Sequence, residues 1–322
     1  MGCGYDAELT FQWDKPRSSA RTFSHARALA CHPGFELVTG VDPSSTARDQ
    51  FSALYSRPAF ASLAECFAAM NGTGFDVVVF AVPPQLQPSL VGQLLQLTVP
   101  RLLLLEKPVA VTLEQASDLG KMFARHPGLT IAVNYIRRYL PAVQGWQSRL
   151  QERLLGRLLF GHVIYGKGII GNGSHFVNLA EAWLGSLKFN QLLAAGMSCS
   201  GFDREAQLLL HATRHGDAPV LVRSVGEAGL RAGEIDLWFE RGRLCWQNNG
   251  EIIQLWNRCP PHRSDCYAAL SDQPTVVATG IRHYQYEVLE NLHAVLTNAA
   301  LEPACTFSSA HNTFRLLEPA IA

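Results

Sequence analysis

The chain has 322 residues, 48% hydrophobic and 17% charged, with 27 basic residues against 27 acidic ones, and that length suffices for two domains with real cores. Zero net charge argues against a nucleic acid or an anionic membrane held by bulk electrostatics, and no low-complexity tract or block of like charge points to disorder. The longest apolar stretch, residues 95–105, is broken by Gln96, Pro100 and Arg101 and is too short to span a bilayer, and the Met-Gly-Cys-Gly start lacks a secretion-signal pattern, so a cytoplasmic globular protein is expected.

From the N-terminus, residues 35–42, 75–82, 100–106 and 128–134 read as strands. They are apolar on both faces rather than alternating, as a parallel sheet covered by helices requires. Between them, residues 21–30, 45–55, 63–70, 87–97 and 112–125 read as helices. This recurrence of strand, helix, strand predicts a doubly wound α/β domain. Near residue 155 the pattern changes. Residues 158–166 read as a strand and 174–184 as a helix, followed by strand-length runs at 191–195, 207–213, 220–225, 234–240, 243–247 and 252–256. Arg241-Gly242 and Asn248-Asn249-Gly250 are credible hairpin turns. Residues 284–298 and 308–317 read as helices again. A block of strands after a βα block predicts a second, α+β domain with an antiparallel sheet. The expected division is 1–138 and 139–322, with the C-terminal helix packing back on the first domain.

Gly2-Cys-Gly4-Tyr-Asp-Ala7 fits G-x-G-x-x-A. In a dinucleotide fold the first glycine permits a tight turn, the second lets backbone approach the pyrophosphate, and the small sixth residue admits the helix behind. The strand that should precede this loop is absent, and Pro16 lies before the next helical run, so either the sequence is clipped at its start or cofactor binding is compromised. Asp42 ends a predicted strand. It either accepts hydrogen bonds from ribose hydroxyls or opens the turn Pro43-Ser44-Ser45 and caps a helix. Glu106-Lys107-Pro108 follows four leucines at a strand's carboxyl end, where ligands of open α/β sheets bind; the alternative is a solvated loop pair.

Val82-Pro83-Pro84, then Glu106-Lys107-Pro108-Val109-Ala110, then Asn134-Tyr135-Ile136-Arg137-Arg138-Tyr139 occur in order at βα-unit spacing. Together they resemble the glucose–fructose oxidoreductase / inositol dehydrogenase / rhizopine-catabolism (Gfo/Idh/MocA) family. Gly173-Ser174-His175-Phe176-Val177-Asn178, running to Trp183-Leu184-Gly185, resembles the family's G-x-H-x-x-D helix. Glu287 to His293, on to Pro303, resembles its closing helix and link.

The resemblance implies a Rossmann-type doubly wound parallel sheet that binds NAD(P), then an α+β domain whose mostly antiparallel open sheet forms an oligomer interface. It implies oxidation or reduction of a hydroxyl or ketone on a sugar, polyol or nucleotide-sugar. Lys107 maps onto the lysine between nicotinamide and substrate, and His175 onto the proton acceptor, a role that suits an imidazole. Gly2, Gly4, Tyr5, Asp42, Val82, Pro83, Glu106 and Lys107 are the expected cofactor contacts. Asn134 and Arg137 are expected at the substrate, with Lys167 and Asn172 added from location. The family aspartate before the histidine is Gly171 here, and the one after it is Asn178, whose amide can bond a sugar hydroxyl but cannot take a proton. A catalytically impaired regulatory or assembly protein of the same fold is therefore the alternative function. Asp42 with no arginine after it predicts NAD(H) over NADP(H), although Ser44, Ser45 and Arg48 leave room for a phosphate. A homodimer or homotetramer is expected.

No metal site is expected. The eight cysteines are scattered with no C-x-x-C pair and read as reduced thiols packed as small hydrophobes. His211 and His215 have i, i+4 spacing, but in a strand and turn. Tyr284, Tyr286 and His283 read as packing residues, and Trp238, Trp246 and Trp256 suit a covered sheet face.

Overall fold

Leu102–Leu105 is a strand whose every side chain is excluded from solvent, so helices must cover both of its faces. In a computed structural model that describes residues 23–201, 203–226, 232–261 and 267–321, the chain divides into two compact units. One comprises residues 1–139 with 282–311, the other 140–281 with 312–322. The span 139–322, expected as one domain, thus yields residues 282–311 to the first unit. The glycine loop with Gly2, Gly4 and Tyr5 lies outside the described residues.

The βα half runs α1 (His25–Cys31), β1 (Gly40–Val41), α2 (Ser45–Tyr55), β2 (Ala59–Phe60), α3 (Leu63–Ala69), β3 (Val77–Phe80), α4 (Gln87–Leu97), β4 (Leu102–Leu105), α5 (Leu113–Phe123) and β5 (Thr130–Val133). The next elements are α6 (Pro141–Gln151), β6 (Leu158–Tyr165), α7 (Ser174–Leu184), β7 (Leu187–Ala194), β8 (Ser198–Ser200), β9 (Asp203–Arg204), β10 (Gln207–Ala212) and β11 (Ala218–Ser224). The chain ends with β12 (Gly233–Phe239), β13 (Gly242–Gln247), β14 (Ile252–Asn257), β15 (Thr275–Ala278), α8 (Tyr284–Thr297) and α9 (Phe307–Leu317).

Helix starts follow local chemistry. Ser24, Ser44, Ser62 and Thr112 each accept a backbone N–H from the first turn of the helix they precede, which satisfies a donor the helix leaves open. In the first unit β3, β4 and β5 form a parallel sheet, and β1 and β2 form a separate parallel pair. The strand predicted over 35–42 shrinks to Gly40–Val41, because among the described residues only β2 pairs with it. A cavity of about 380 Å³, lined by Leu37, Thr39, Val41, Val77 and Val79 among others, lies between the two pieces. Helix α8 packs on α1 and on the 3-10 turn Ile136–Tyr139.

The second unit is built on an eight-stranded sheet, β15-β14-β13-β12-β6-β11-β10-β7, in which β6–β11 is the parallel neighbour pair. Both hairpin turns are present, joining β12 to β13 and β13 to β14. Along β12, Ile235, Leu237 and Phe239 are buried and alternate with half-exposed residues, the period of a sheet with one covered face. Helix α7 lies on β6 and β12. The tryptophans do not share one covered face. Trp246 is fully buried edge-on to Trp183, whereas Trp238 and Trp256 flank the Arg243 guanidinium at 4.8 and 5.0 Å. Neighbouring strand positions alternate in direction, which separates them. Helix α6 and strands β2, β8, β9 and β15 have no counterpart in the sequence reading. Among the described residues no helix is long and apolar enough to cross a membrane.

Candidate active site

Three motifs leave the carboxyl ends of three adjacent parallel strands: Val82-Pro83 after β3, Glu106-Lys107-Pro108 after β4 and Asn134 after β5. The ladder continues into the motifs, with Glu106 N donating to Phe80 O at 3.1 Å and Asn134 N to Leu105 O at 2.8 Å.

The Glu106 carboxylate is gripped from several sides. Its Oε1 lies 2.7 Å from His25 Nε2 and accepts Asn134 Nδ2 at 2.7 Å, and its Oε2 accepts Lys107 N at 3.3 Å. Gln285 closes the ring, with its Oε1 accepting Asn134 Nδ2 at 3.3 Å and its Nε2 lying 2.8 Å from His25 Nδ1. An amide N–H on Nδ1 leaves the His25 proton on Nε2, aimed at Glu106. Burial pulls the Glu106 carboxyl up, but the bonds from His25 and Asn134 and the nearby Lys107 charge outweigh it and hold the group below its ordinary range. On the other side Gln87 Nε2 donates to Glu106 O at 3.0 Å and Pro108 O at 2.9 Å. The backbone on both sides of Lys107 is therefore fixed.

Two expectations change here. Glu106, expected at the cofactor, directs its carboxylate to protein donors, and Asn134, expected at the substrate, is 3% exposed with its amide inside the same network. A half-buried carboxylate has few waters to bond, and these are the protein donors within reach. Arg137 is buried on the 3-10 turn after β5. Val82 and Pro83 lie in the loop after β3, where Pro83 O accepts Leu86 N at 2.9 Å. Asp42 is buried at the end of β1 and its Oδ1 accepts Ser44 N at 2.9 Å. Its turn-opening role is thus present, while Ser44 is the helix cap.

In the second unit Lys167, Asn172, His175 and Asn178 lie on one continuous segment from β6 through a π-helical turn, Ile169–Gly173, into α7. Lys167 is exposed, with φ +64°. Asn172 Nδ2 donates to Gly166 O at 2.8 Å and Ala232 O at 3.3 Å, so its amide braces the turn. His175 is half-buried at the second position of α7. Asn178, expected at the substrate, has no exposed surface. Its Nδ2 donates to Thr313 Oγ1 at 2.9 Å, and Thr313 Oγ1 donates to Glu181 Oε2 at 2.5 Å. Helix α7 is buried on nearly every side, so position 178 meets α9 within the unit.

Two acids that the sequence reading missed hold this segment. Asp203 accepts Ile170 N at 2.9 Å and Gly171 N at 2.7 Å. Glu205 accepts Lys167 N at 3.0 Å and the Ser224 hydroxyl. Burial raises the Glu205 carboxyl, but the bonds from Ser224, Cys199 and the loop N–H groups outweigh it and hold it below its ordinary range. Cys199 beside it is pushed up to about 11 by burial and by Glu205. The residues carried a faint signal in the glycines at 168 and 171, which leave room for a side chain from elsewhere. His211 Nε2 contacts Asn190 at 3.0 Å, and buried His215 Nδ1 accepts Leu158 N at 2.9 Å. Among the described residues no group of His, Cys, Asp and Glu could hold a metal.

Residues 20–135 match the Gfo/Idh/MocA profile, described as an oxidoreductase family with an NAD-binding Rossmann fold. No curated protein matches the sequence. Among solved structures, the chain is similar to the WlbA dehydrogenase from Bordetella pertussis in complex with NADH and UDP-GlcNAcA, at 18% identity and TM-score 0.75 over 92% of this chain and 90% of that one. It is similar to the UDP-N-acetylglucosamine 3-dehydrogenase GnnA from Acidithiobacillus ferrooxidans, at 17% identity and TM-score 0.68 over 92% of each chain. A variant of a 3-ketoreductase from Actinomadura kijaniata in complex with TDP-benzene and NADP has 14% identity and TM-score 0.72 over 98% of this chain and 93% of that one. At such identities the structural likeness concerns the fold, which carries many chemistries. With the motifs in place at the strand ends, the described part of residues 20–135 agrees with its match to an NAD-binding Rossmann domain of the Gfo/Idh/MocA oxidoreductase family.

Proposed function

We propose that the protein moves a hydride between nicotinamide and a hydroxyl or keto carbon of a sugar-like substrate, a nucleotide-sugar foremost. The observation that carries this reading is Lys107 at the carboxyl end of β4, on backbone held by Gln87 on one side and the Glu106 network on the other. The three solved structures named above act on, or are bound to, nucleotide-sugars or a related nucleotide, which favours that substrate class.

The residues present fit a dinucleotide. A carboxylate at the end of β1 suits ribose hydroxyls, and the loops after β3 and β4 open at the carboxyl ends of parallel strands. The acid at Asp42 favours NAD(H) over NADP(H). Bound nicotinamide supplies the hydride chemistry. Lys107 orients and polarises the reacting oxygen with its ammonium group. His175 takes the hydroxyl proton in oxidation and returns it in reduction, since an imidazole exchanges protons near neutrality. Arg137 and Lys167 serve the substrate. The protein assembles as a dimer or tetramer through the sheet face bearing Arg243, Trp238 and Phe160. Phe160 is 45% exposed there and stacks on Trp238.

The test is a fluorescence titration with NADH, followed by a redox screen against nucleotide-sugars, free sugars and polyols. Binding with turnover of a nucleotide-sugar supports the reading. Binding without turnover of any of them would favour a regulatory role, and no binding would overturn both.

A further inference from the structure

We infer that Asp203 is the positioning carboxylate of the His175 helix, delivered across the unit from β9 into the place where a side chain at position 171 would lie. The inference rests on the dehydrogenase reading above and names a further residue of that site.

Three observations carry it. The first is the grip itself. Asp203 is 7% exposed, and its two oxygens accept Ile170 N at 2.9 Å and Gly171 N at 2.7 Å, while Oδ1 also accepts Arg204 N at 2.9 Å. The second is the space it fills. A Cβ on Gly171 would sit 2.9 Å from Asp203 Oδ2, and one on Gly168, where φ is +82°, would sit 2.1 Å from it. These glycines are the concavity that admits the carboxylate. The third is continuity with His175. Asn172 N and Gly173 N both bond Gly168 O, and Ser174 Oγ donates to Ile170 O at 2.6 Å. The turn that Asp203 clamps thus runs without a break into α7, whose second residue is His175. Glu205, two positions on, clamps Lys167 N in the same way, so one short segment fixes the whole stretch from 167 to 171.

A carboxylate here has two effects on the chemistry. It sets the register in which α7 begins, and hence the direction of the imidazole. It also puts negative charge beside a helix start, where the backbone dipoles favour it. The absence of an acid at Gly171 is then not a loss of the carboxylate but a change in where the chain supplies it.

The experiment moves the carboxylate back. Four proteins are compared: wild type, Asp203→Ala, Gly171→Asp, and the double variant. Asp203→Ala should lower kcat by roughly 10- to 100-fold, the loss that misplacing a reacting group causes, while NADH affinity stays within about 2-fold because its ligands lie in the first unit. Gly171→Asp alone should also lose activity, since it forces two carboxylates into one space. The double variant should recover most of the wild-type kcat, a non-additivity that general loop weakening does not produce. The NMR signals of the His175 ring offer a second readout, shifted in each single variant and restored in the double. A double variant no faster than Asp203→Ala, with His175 signals still displaced, would overturn the inference even if wild type is an active dehydrogenase. If wild type turns over no substrate, the dehydrogenase reading falls and the His175 signals alone decide the role of Asp203.

Discussion

Replacing Glu106 by glutamine tests the network that fixes Lys107. The change removes one charge and puts an NH2 where an oxygen stood. The variant can keep its oxygen toward His25 and Asn134, which now bond a neutral acceptor instead of a carboxylate at 2.7 Å each. Its NH2 must then face Lys107 N–H, where the wild type has an acceptor at 3.3 Å. Hydrogen bonds to charged groups contribute about 1.5–3 kcal/mol and neutral ones about 1, so two weakened bonds and one lost bond amount to about 2–5 kcal/mol. The side chain is 27% exposed, so water offsets part of this and about 2 kcal/mol is expected. For a unit of this size that lowers Tm by roughly 4–8 °C.

The assay is scanning calorimetry on wild type, Glu106→Gln, His25→Ala and the double variant, with a coupling energy above about 0.5 kcal/mol expected between the two sites. The pH dependence gives a sign. The folded carboxyl titrates below its ordinary range, so its contribution is present above the ordinary carboxylate value and is lost as pH falls through the folded one. Wild type and Glu106→Gln should therefore converge in Tm toward acid. A Tm within about 1 °C of wild type near neutrality, or strictly additive effects, would refute the network argument.

Lys107→Met should abolish turnover while NADH binding, followed by fluorescence, stays within about 3-fold, because the lysine orients the reacting oxygen rather than holding the dinucleotide. His175→Asn should lower kcat by roughly 10²–10⁴-fold, and unchanged turnover would remove the proton-transfer role. His215 is held below its ordinary value by burial and by nearby Arg153, and its Nδ1 must stay unprotonated to accept Leu158 N–H. Its contribution is present above the ordinary histidine value and is lost as pH falls through the folded one, so His215→Asn should flatten the decline in Tm between about pH 7 and about pH 5. Leu104→Ala should cost about 2–5 kcal/mol in urea unfolding, because the side chain has no exposed surface into which the site can open.

The sequence by itself determined what depends on neighbours along the chain. Residues 45–55 form a helix because Ser44 caps it, and the leucines before Glu106 form a strand because they are apolar on both faces. The motifs sit at strand ends because charged and proline residues terminate such runs. The tertiary structure alone decided which polar atoms meet. Glu106 faces His25, 81 positions earlier, and Asn134 faces Gln285, 151 positions later; no local periodicity encodes either pairing. Asn178 is expected at the substrate because it stands where the resembled family has an aspartate, yet it is buried against Thr313 because α7 is enclosed on nearly every side. Nothing along the chain singles out Asp203, and only folding carries it over Gly168 and Gly171. The physical reason is common to all of these. Apolar patterning is local and repeats with the backbone, whereas a buried polar group is satisfied by whichever partner the fold brings within hydrogen-bond reach.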